Sequence, residues 1–309
     1  MGVSLQIAIR DYCQTTLVVN NRSGKTRKAY HIDLCQFAAF ADESTALSNV
    51  APETIESWLV HLQQHGYKVS SIRRKMATIR VFFNHLKARG HIDESPCQHI
   101  CLRLGAPKLL TRTIDGVDLA RLVNAVELHA TVNSCEDPQL YRLRDRLIIR
   151  LLGCTGIRVG ELVSLSLGDW SASSQSFRIN GKGGRERTTL IVRDEDVQCV
   201  SEYLHERIFL SVNHNGLFVN QRGSQLTTEG VRAIIRRIAR SMNIRAHITP
   251  HMFRHTAATR LLESGANLRV VQEFLGHRSI RSTERYTHVS PQYLRETLKK
   301  HHPLERLAA

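Results

Sequence analysis

One segment without helical periodicity divides the chain and limits the folds open to it. Residues 95–115, SPCQHICLRLGAPKLLTRTID, contain two prolines and a glycine, whereas apolar residues recur at helical spacing on both sides. A segment of this composition is typical of a linker between domains. We therefore predict a first domain over 1–104, a linker over 105–112, a second domain over 113–290 and a tail over 291–309.

The first domain is predicted to be all-helical. Apolar residues at helical spacing cover 32–41, 52–66 and 70–90, and the last two stretches end at glycine. The second domain is also mostly helical, but 175–180 and 187–193 have the composition of strands. The sequence GKGGRE lies between them and suits a hairpin turn, because glycine adopts turn conformations at low cost. The predicted fold class is mainly α with a small β-sheet.

The charge of the chain favours an anionic partner. Lys and Arg number 43 against 28 Asp and Glu, a formal net charge of +15, which favours nucleic acid first. An anionic membrane surface is the weaker alternative, since neither an apolar run of about 18 residues nor a basic amphipathic anchor is present. The N-terminus lacks a signal-peptide pattern, so we expect a cytoplasmic, nucleoid-associated protein whose seven cysteines are free thiols.

The pentapeptide HMFRH at 251–255 is compatible with two chemistries. Its histidines have the spacing of zinc proteases, but Met252 stands where those enzymes have a glutamate as general base. His251 and Arg254 are three residues apart on a helix that begins at Pro250, so they share one face near its N-terminus. An imidazole, a guanidinium and the positive end of a helix dipole suit an anion. We predict an anion site without a metal.

Two further cations follow glycine-containing turns. Arg158 comes after GCTGI, and Glu161 is placed to hold it by an ion pair; an ordinary surface pair, which contributes little, is the alternative. Lys182 lies at the tip of the predicted hairpin, either as a solvated turn residue or as a mobile cation able to donate a proton. Two arginines can together bind both non-bridging oxygens of one phosphate.

The motifs occur in the order that is typical of a known family. TGIR-VGE, the G-K-G-G hairpin and H-x-x-R-H are followed by L-G-H at 275–277 and, nine residues after His277, by Tyr286 in Y-T-H. In this order the chain resembles the tyrosine recombinase (lambda-integrase) family, most strongly over 145–290. A tyrosine taken alone is more often a half-buried core residue than a nucleophile, so the whole set of motifs carries the resemblance.

The resemblance implies how the DNA phosphate is bound. Arg158 and Arg254 would bind the scissile phosphate, and Glu161 would support Arg158 from behind. His277 would hydrogen-bond the same phosphate. Side-chain cations then take the place of the metal ions that many nucleases use, so no cofactor is expected.

The resemblance also implies the covalent chemistry. Tyr286 would attack phosphorus and form a 3′-phosphotyrosyl bond, while His251 assists proton transfer at the tyrosine. Lys182 would act as general acid toward the leaving 5′-hydroxyl. The covalent bond conserves the energy of the phosphodiester, so rejoining needs no ATP.

The family's architecture implies the partners. It is a two-domain clamp on double-stranded DNA at a specific recombination site, with a helical core-binding domain and a mixed α+β catalytic domain. Four basic residues of the helix at 70–90 are candidates for DNA contact, with a solvated face as the alternative: Arg73, Arg74, Lys75 and Arg80. The tail would be exchanged between protomers of a tetramer on two sites, or else pack on its own domain. An accessory or activating protein would be a further partner.

Within the family, the chain resembles the short Xer-type recombinases and the compact recombinases of transposons and plasmids, since it leaves no room for an N-terminal arm-binding domain.

Two other classes of DNA-binding protein stay open. A type IB topoisomerase uses related tyrosine chemistry, usually as a monomer without site specificity. A DNA-binding regulator without catalysis would explain the charge and the helices, but not the tyrosine with its arginines and histidines.

Overall fold

Helices make up most of the chain, and one small sheet interrupts them. The computed structural model describes residues 3–21, 23–102, 105, 112–131, 138–181, 186–276 and 291–302. Contacts divide the chain into two compact units, Met1–Leu109 and Leu110–Ala309. The predicted fold class, mainly α with a small β-sheet, is confirmed. No helix in the described ranges is both long and apolar enough to cross a membrane.

The N-terminal unit is a small helical bundle. Its helical elements are α1 (Leu5–Asp11), a π-helical turn (Tyr12–Thr16), α2 (Leu17–Val19), α3 (Gly24–Ala41), a 3-10 turn (Leu47–Asn49), α4 (Pro52–Gln64) and α5 (Val69–Ala88). The three long helices enclose four fully buried aromatic rings, Phe37, Trp58, Phe82 and Phe83. Phe37 meets Trp58 edge to face with ring centroids 5.1 Å apart, an arrangement favoured by the ring quadrupoles.

Lys75 lies inside this bundle, and its prediction as a DNA contact needs correction. The side chain is 4% exposed, and its ammonium donates to Asp33 Oδ1 of α3 at 3.0 Å. Asp33 is fully buried, so removing Lys75 would leave its carboxylate with the half-exposed Arg74 as its remaining cation. Lys75 therefore joins α5 to α3. It lies on the buried face of α5, where it is the partner of the buried acid Asp33.

The other three predicted DNA contacts on α5 reach the surface. Arg74 also pairs with Asp33, but its side chain is half exposed. Arg73 donates to the carbonyl oxygen of Gly105 at 2.6 Å and Arg80 to that of Ile100 at 2.9 Å. Both contacts hold the chain after the bundle against α5. Their contact with DNA stays a prediction.

The second unit is built around α7. Its described elements are α6 (Gly116–Thr131), α7 (Gln139–Thr155), α8 (Val159–Ser164), a 3-10 turn (Leu167–Asp169), β1 (Trp170–Ser171), β2 (Ser176–Asn180), β3 (Glu186–Leu190), α9 (Asp194–Ile208), α10 (Thr228–Ser241), α11 (Pro250–Glu263), α12 (Leu268–Leu275) and α13 (Pro291–Lys300). Leu147, Ile148 and Leu152 of α7 are completely buried, since α6, α9 and α11 pack around that helix. Residues 132–137, between α6 and α7, lie outside the described residues.

The sheet has three antiparallel strands in the order β1-β2-β3. Phe177 pairs with Thr189 and Ile179 with Arg187. Directly opposed residues share a face of the sheet. Because Phe177 and Ile179 are buried, Arg187 and Thr189 also lie on the face turned toward the core.

The tail helix α13 packs on its own unit in this single chain. Leu298 is 2% exposed and joins a cluster with Leu261 of α11 and Val271 of α12. Arg295 donates to the carbonyl oxygen of Ser174, in the turn between β1 and β2, at 2.7 Å. This is the arrangement that the sequence left as the alternative to exchange between protomers, and exchange stays a prediction.

Candidate active site

A left-handed glycine brings the ends of two helices together. Gly156 follows α7 with φ of 58°, a region that residues with a Cβ seldom adopt. A Cβ at this position would lie 2.9 Å from Leu275 Cδ2 at the end of α12. The turn therefore requires glycine for its dihedral angle and for its space. It reverses the chain after α7, so that Arg158 begins α8 beside the end of α12.

Glu161 fixes Arg158 from two directions. One carboxylate oxygen accepts the backbone N–H of Arg158 at 3.1 Å, as in a capping box, and the other accepts its Nη1 at 2.7 Å. Burial alone would raise the pKa of the Glu161 carboxyl, but Arg187 and Arg158 overcome this effect and hold the pKa below its usual value. Glu161 is therefore ionised at neutral pH and restrains a guanidinium whose side chain is 38% exposed.

Arg254 is held between two helix ends. It lies on α11 and is 5% exposed. Its Nη1 donates to the carbonyl oxygen of Gly156 at 2.7 Å, and its Nη2 donates to that of Leu275 at 2.6 Å. The carbonyl end of a helix is the negative end of its dipole, so both contacts favour a cation. Arg158 Nη2 donates to the next carbonyl, that of Gly276, at 3.4 Å. The two arginines therefore meet at the end of α12.

His251 lies in the first turn of α11, one residue after Pro250. Partial burial lowers the pKa of its imidazole, and His255, Arg254, Arg232 and Arg158 lower it further. The ring is therefore neutral at pH 7 and can accept a proton. Arg254 and Arg158 are thus among the cations whose charge acts on His251.

Arg187 is a third arginine in this site, and the sequence interpretation did not single it out. Its Nη2 donates to Glu161 Oε2 at 2.7 Å and its Nη1 to Thr189 Oγ1 at 2.9 Å. A sequence signal existed, because a charged residue at an inward-facing strand position is rare without a partner. The sequence alone does not give the register of β2 and β3. That register pairs Arg187 with Ile179 and so places both on the inward face.

The site carries an excess of positive charge. Arg158, Arg187 and Arg254 contribute three guanidinium groups, and Glu161 is the carboxylate that pairs with two of them. Burial, followed by Arg158 and Arg187, lowers the pKa of Arg254 to about 10. A lowered arginine pKa means that the surroundings disfavour its charge. An anion bound here would balance the remaining positive charge, so the arrangement of these side chains suits an anion.

Three of the predicted catalytic residues, Lys182, His277 and Tyr286, lie outside the described residues. The elements that lead to them are described. β2 ends at Asn180, before the hairpin tip, and α12 ends at Leu275 with Gly276 in a left-handed conformation. The polypeptide that continues to His277 and Tyr286 therefore leaves from the point where Arg158 and Arg254 meet. In the described part of the chain, no group of three or more His, Cys, Asp and Glu side chains is placed to hold a metal ion.

Comparisons with known proteins identify the family of the chain. The pattern of the phage integrase family matches residues 121–293, and that of the phage integrase N-terminal SAM-like domain matches residues 9–90. A tyrosine recombinase of Agathobacter rectalis is 34% identical over 303 residues, which cover 97% of both chains. Tyrosine recombinase XerC of Listeria monocytogenes is 35% identical over 291 residues, covering 92% of this chain and 93% of the relative.

A solved structure shares the fold at lower identity. The XerH site-specific recombinase bound to palindromic difH substrate, in a post-cleavage complex, superposes with a TM-score of 0.69. It is 21% identical, and the match covers 94% of this chain and 79% of that one. Both units of the chain thus have counterparts in relatives of similar length. The chain belongs to the phage integrase family of tyrosine recombinases.

Proposed function

We propose that this protein is a site-specific DNA recombinase that cuts and rejoins DNA strands through a 3′-phosphotyrosyl intermediate. The observation that carries the proposal is the meeting of Arg158 and Arg254 at the end of α12, with more positive than negative charge around them. A phosphodiester is the anion that a DNA-cleaving enzyme must bind at its reacting centre. Two guanidinium groups suit its two non-bridging oxygens.

Charge stabilisation is the main task of this site during the reaction. Negative charge on the non-bridging oxygens increases as the nucleophile approaches phosphorus. Arg158 and Arg254 are already oriented by Glu161 and by helix carbonyl groups, so little reorganisation is needed when the charge develops. This preorganisation is the part of catalysis that the described residues support.

The covalent step is assigned by family resemblance. The Tyr286 oxygen forms a bond to phosphorus, and the bond between phosphorus and the 5′ oxygen breaks. The phenolic proton passes toward His251, whose neutral imidazole can accept it, and the 5′ oxygen receives a proton from Lys182. Attack by the free 5′-hydroxyl of another strand reverses these transfers and restores the phosphodiester. His277 donates a hydrogen bond to the phosphate.

Covalent trapping tests this proposal. The wild-type protein is incubated with fragmented DNA of its source organism in EDTA, the reaction is stopped with SDS, and the DNA that stays attached to protein is sequenced. We expect adducts at a recurrent sequence, because the tyrosyl–DNA bond survives denaturation. Tyr286→Phe should form no adduct, while its affinity for the same DNA should change by less than about threefold, since a phenyl ring conserves the shape of the side chain.

The other outcomes separate the alternative classes. Adducts spread over unrelated sequences would support a type IB topoisomerase. Binding without any adduct from the wild-type protein would support a DNA-binding regulator. An adduct that persists in Tyr286→Phe would show that another residue is the nucleophile. Tyr293 is the matched control for that experiment, because it lies outside the family motif, and Tyr293→Phe should cleave like the wild type.

The proposal includes an assembly on DNA. Strand exchange between two sites needs a nucleophile for each of four strands, so we propose a tetramer on two copies of a specific site, with α13 exchanged between protomers and both units contacting DNA. Two biological uses of this recombinase stay open, the resolution of DNA dimers and the movement of a genetic element. Both fit the resemblance to Xer-type recombinases and to transposon enzymes. A cytoplasmic location on the nucleoid and an accessory protein complete the proposal.

A further inference from the structure

Arg187 connects three parts of the site that the reaction uses. It lies on β3, five residues after the predicted general acid Lys182. Its guanidinium shares the Glu161 carboxylate with Arg158, each taking one of the two oxygens at 2.7 Å. The side chain of Arg187 is 19% exposed, so water competes little with this pair.

Arg187 also lies directly across Gly276. A Cβ on Gly276 would come within 2.6 Å of both Cδ and Nε of Arg187, closer than real Cβ contacts. The φ of Gly276 is 61°, which independently favours glycine. The glycine of the L-G-H motif therefore leaves room for the stem of Arg187 on its way to Glu161. The same backbone position accepts a hydrogen bond from Arg158 through its carbonyl oxygen.

We propose that Arg187 is a positioning residue of the recombinase reaction, which holds Glu161 and the Gly276 backbone and thereby fixes the Arg158 guanidinium for the scissile phosphate. This inference rests on the proposed function. Without Arg187, one Glu161 oxygen would lose its guanidinium partner and the carboxylate could rotate, and Arg158 would follow it because the two remain paired. Strand β3, which follows Lys182 in the chain, would also lose its link to the phosphate-binding helices.

Electrostatics supports this role. Glu161 bonded to Arg158 alone would neutralise that arginine, which would weaken its attraction for phosphate. Arg187 supplies a second cation to the same carboxylate, so the trio keeps a net positive charge. Burial lowers the pKa of Arg187, Glu161 opposes this by raising it, and Arg158 lowers it again. The exposed carboxylate of Glu273 on α12 also raises the pKa of Arg187.

The test is single-turnover cleavage of a nicked duplex that carries the sequence recovered by covalent trapping. A nick lets the short cleaved fragment diffuse away, so the covalent complex accumulates. Arg187→Gln should lower the rate constant of cleavage about 100-fold, the size of effect expected when a phosphate-binding group is displaced by about 1 Å. Its affinity for the duplex should change by less than about threefold, because Arg158 and Arg254 remain. Arg187→Lys, which retains the charge, should recover part of the rate.

Arg178→Gln is the matched control. Arg178 lies on β2 of the same sheet, carries the same charge and pairs with Asp169 instead of Glu161. Its rate constant should stay within about threefold of the wild type. A lower rate constant is distinguished from a lower fraction of folded protein by the amplitude of the reaction, because misfolded molecules reduce the amplitude and leave the rate constant of the rest unchanged.

A double-mutant cycle with Glu161→Gln tests whether Arg187 acts through Glu161. If it does, Arg187→Gln should lower the rate constant in the Glu161→Gln background by less than about tenfold, because interacting residues are non-additive. Equal effects in both backgrounds, a loss of amplitude alone, or an Arg187→Gln variant as fast as the wild type would each overturn the inference. A wild-type protein that forms no adduct would instead refute the proposed function, and the inference with it.

Discussion

At the scale of single residues, Glu161 is the centre of the site's electrostatics. Each of its oxygens accepts a guanidinium hydrogen bond, and its side chain is 9% exposed. Replacing a buried, paired carboxylate leaves both partners with uncompensated charge. Its contribution to stability should therefore depend on pH in a direction set by its pKa.

We predict that Glu161→Gln lowers the free energy of unfolding at pH 7 by about 2–3 kcal/mol, a range reduced from that of fully buried pairs because Arg158 is partly solvated. The folded state lowers the pKa of Glu161. The unfolded chain therefore binds a proton at a higher pH than the folded one, and the stabilisation is lost as pH falls through the ordinary carboxyl pKa of about 4.3 and then through the lower folded value. Urea unfolding of both proteins from pH 7 to pH 3 measures this difference.

Glu263→Gln is the control for that measurement, since Glu263 lies exposed on α11. Its free energy of unfolding should stay within about 0.5 kcal/mol of the wild type across the pH range. A wild-type advantage over Glu161→Gln that grows as pH falls would contradict the ion pairs described for this carboxylate.

The residues of the site differ in how far the sequence could identify them. Arg158, His251 and Arg254 stand in short motifs where the local spacing carries the information. Arg187 has no such motif, because its role depends on a strand register and on Gly276, which is 89 positions later in the chain. Lys75 failed as a surface prediction for a similar reason. Its partner Asp33 is on another helix, and helical spacing alone does not show which charges are buried in pairs.

At the scale of elements, long periodic helices were predictable and short elements were not. Helices α4, α5 and α11 follow from apolar spacing with proline or glycine at their ends. The two-residue strand β1 offers too few positions for any periodicity, and it exists because Trp170 pairs with Phe177 of β2. The N-terminal α1 was also missed, although Leu5 and Ile9 are four residues apart and both buried. Tertiary packing stabilises such short segments more than local propensity does.

The tail helix offers a test at this scale. Leu298 is its buried anchor in the cluster with α11 and α12, and deleting buried methyl groups from such a site costs about 2–4 kcal/mol. We predict that Leu298→Ala undocks α13 from its own unit while the rest of the unit stays folded. Limited proteolysis should then remove the tail at least ten times faster than in the wild type, with little change in the melting temperature.

Lys299→Ala is the matched control, because Lys299 is the next residue of α13 and is exposed. Its tail should be cleaved at the wild-type rate. A Leu298→Ala protein as resistant as the wild type would show that other contacts, such as those of Arg295 with the turn after β1, are enough to hold the helix.

At the scale of the whole molecule, net charge favours one class of partner. The chain has a formal net charge of +15. In its second unit, Arg158, Arg187 and Arg254 lie together in one site. Composition could therefore predict the class of partner, and motif order could predict the reaction. Neither could define the target sequence, because base contacts and DNA shape are properties of the complex.

The last prediction concerns the source of positive charge during cleavage. Two-metal nucleases bind the phosphate through cations held by carboxylates, whereas this site offers guanidinium groups and uses its carboxylate to orient them. We predict that the rate constant of covalent-complex formation is the same within about twofold in EDTA and in Mg²⁺ at equal ionic strength. Equal ionic strength matters, because DNA binding depends steeply on salt concentration. With about six phosphate contacts, the logarithm of the binding constant would fall with a slope near −5 against the logarithm of salt concentration. A rate that falls more than about tenfold in EDTA and returns with Mg²⁺ would mean that a metal ion supplies charge that we assign to Arg158 and Arg254.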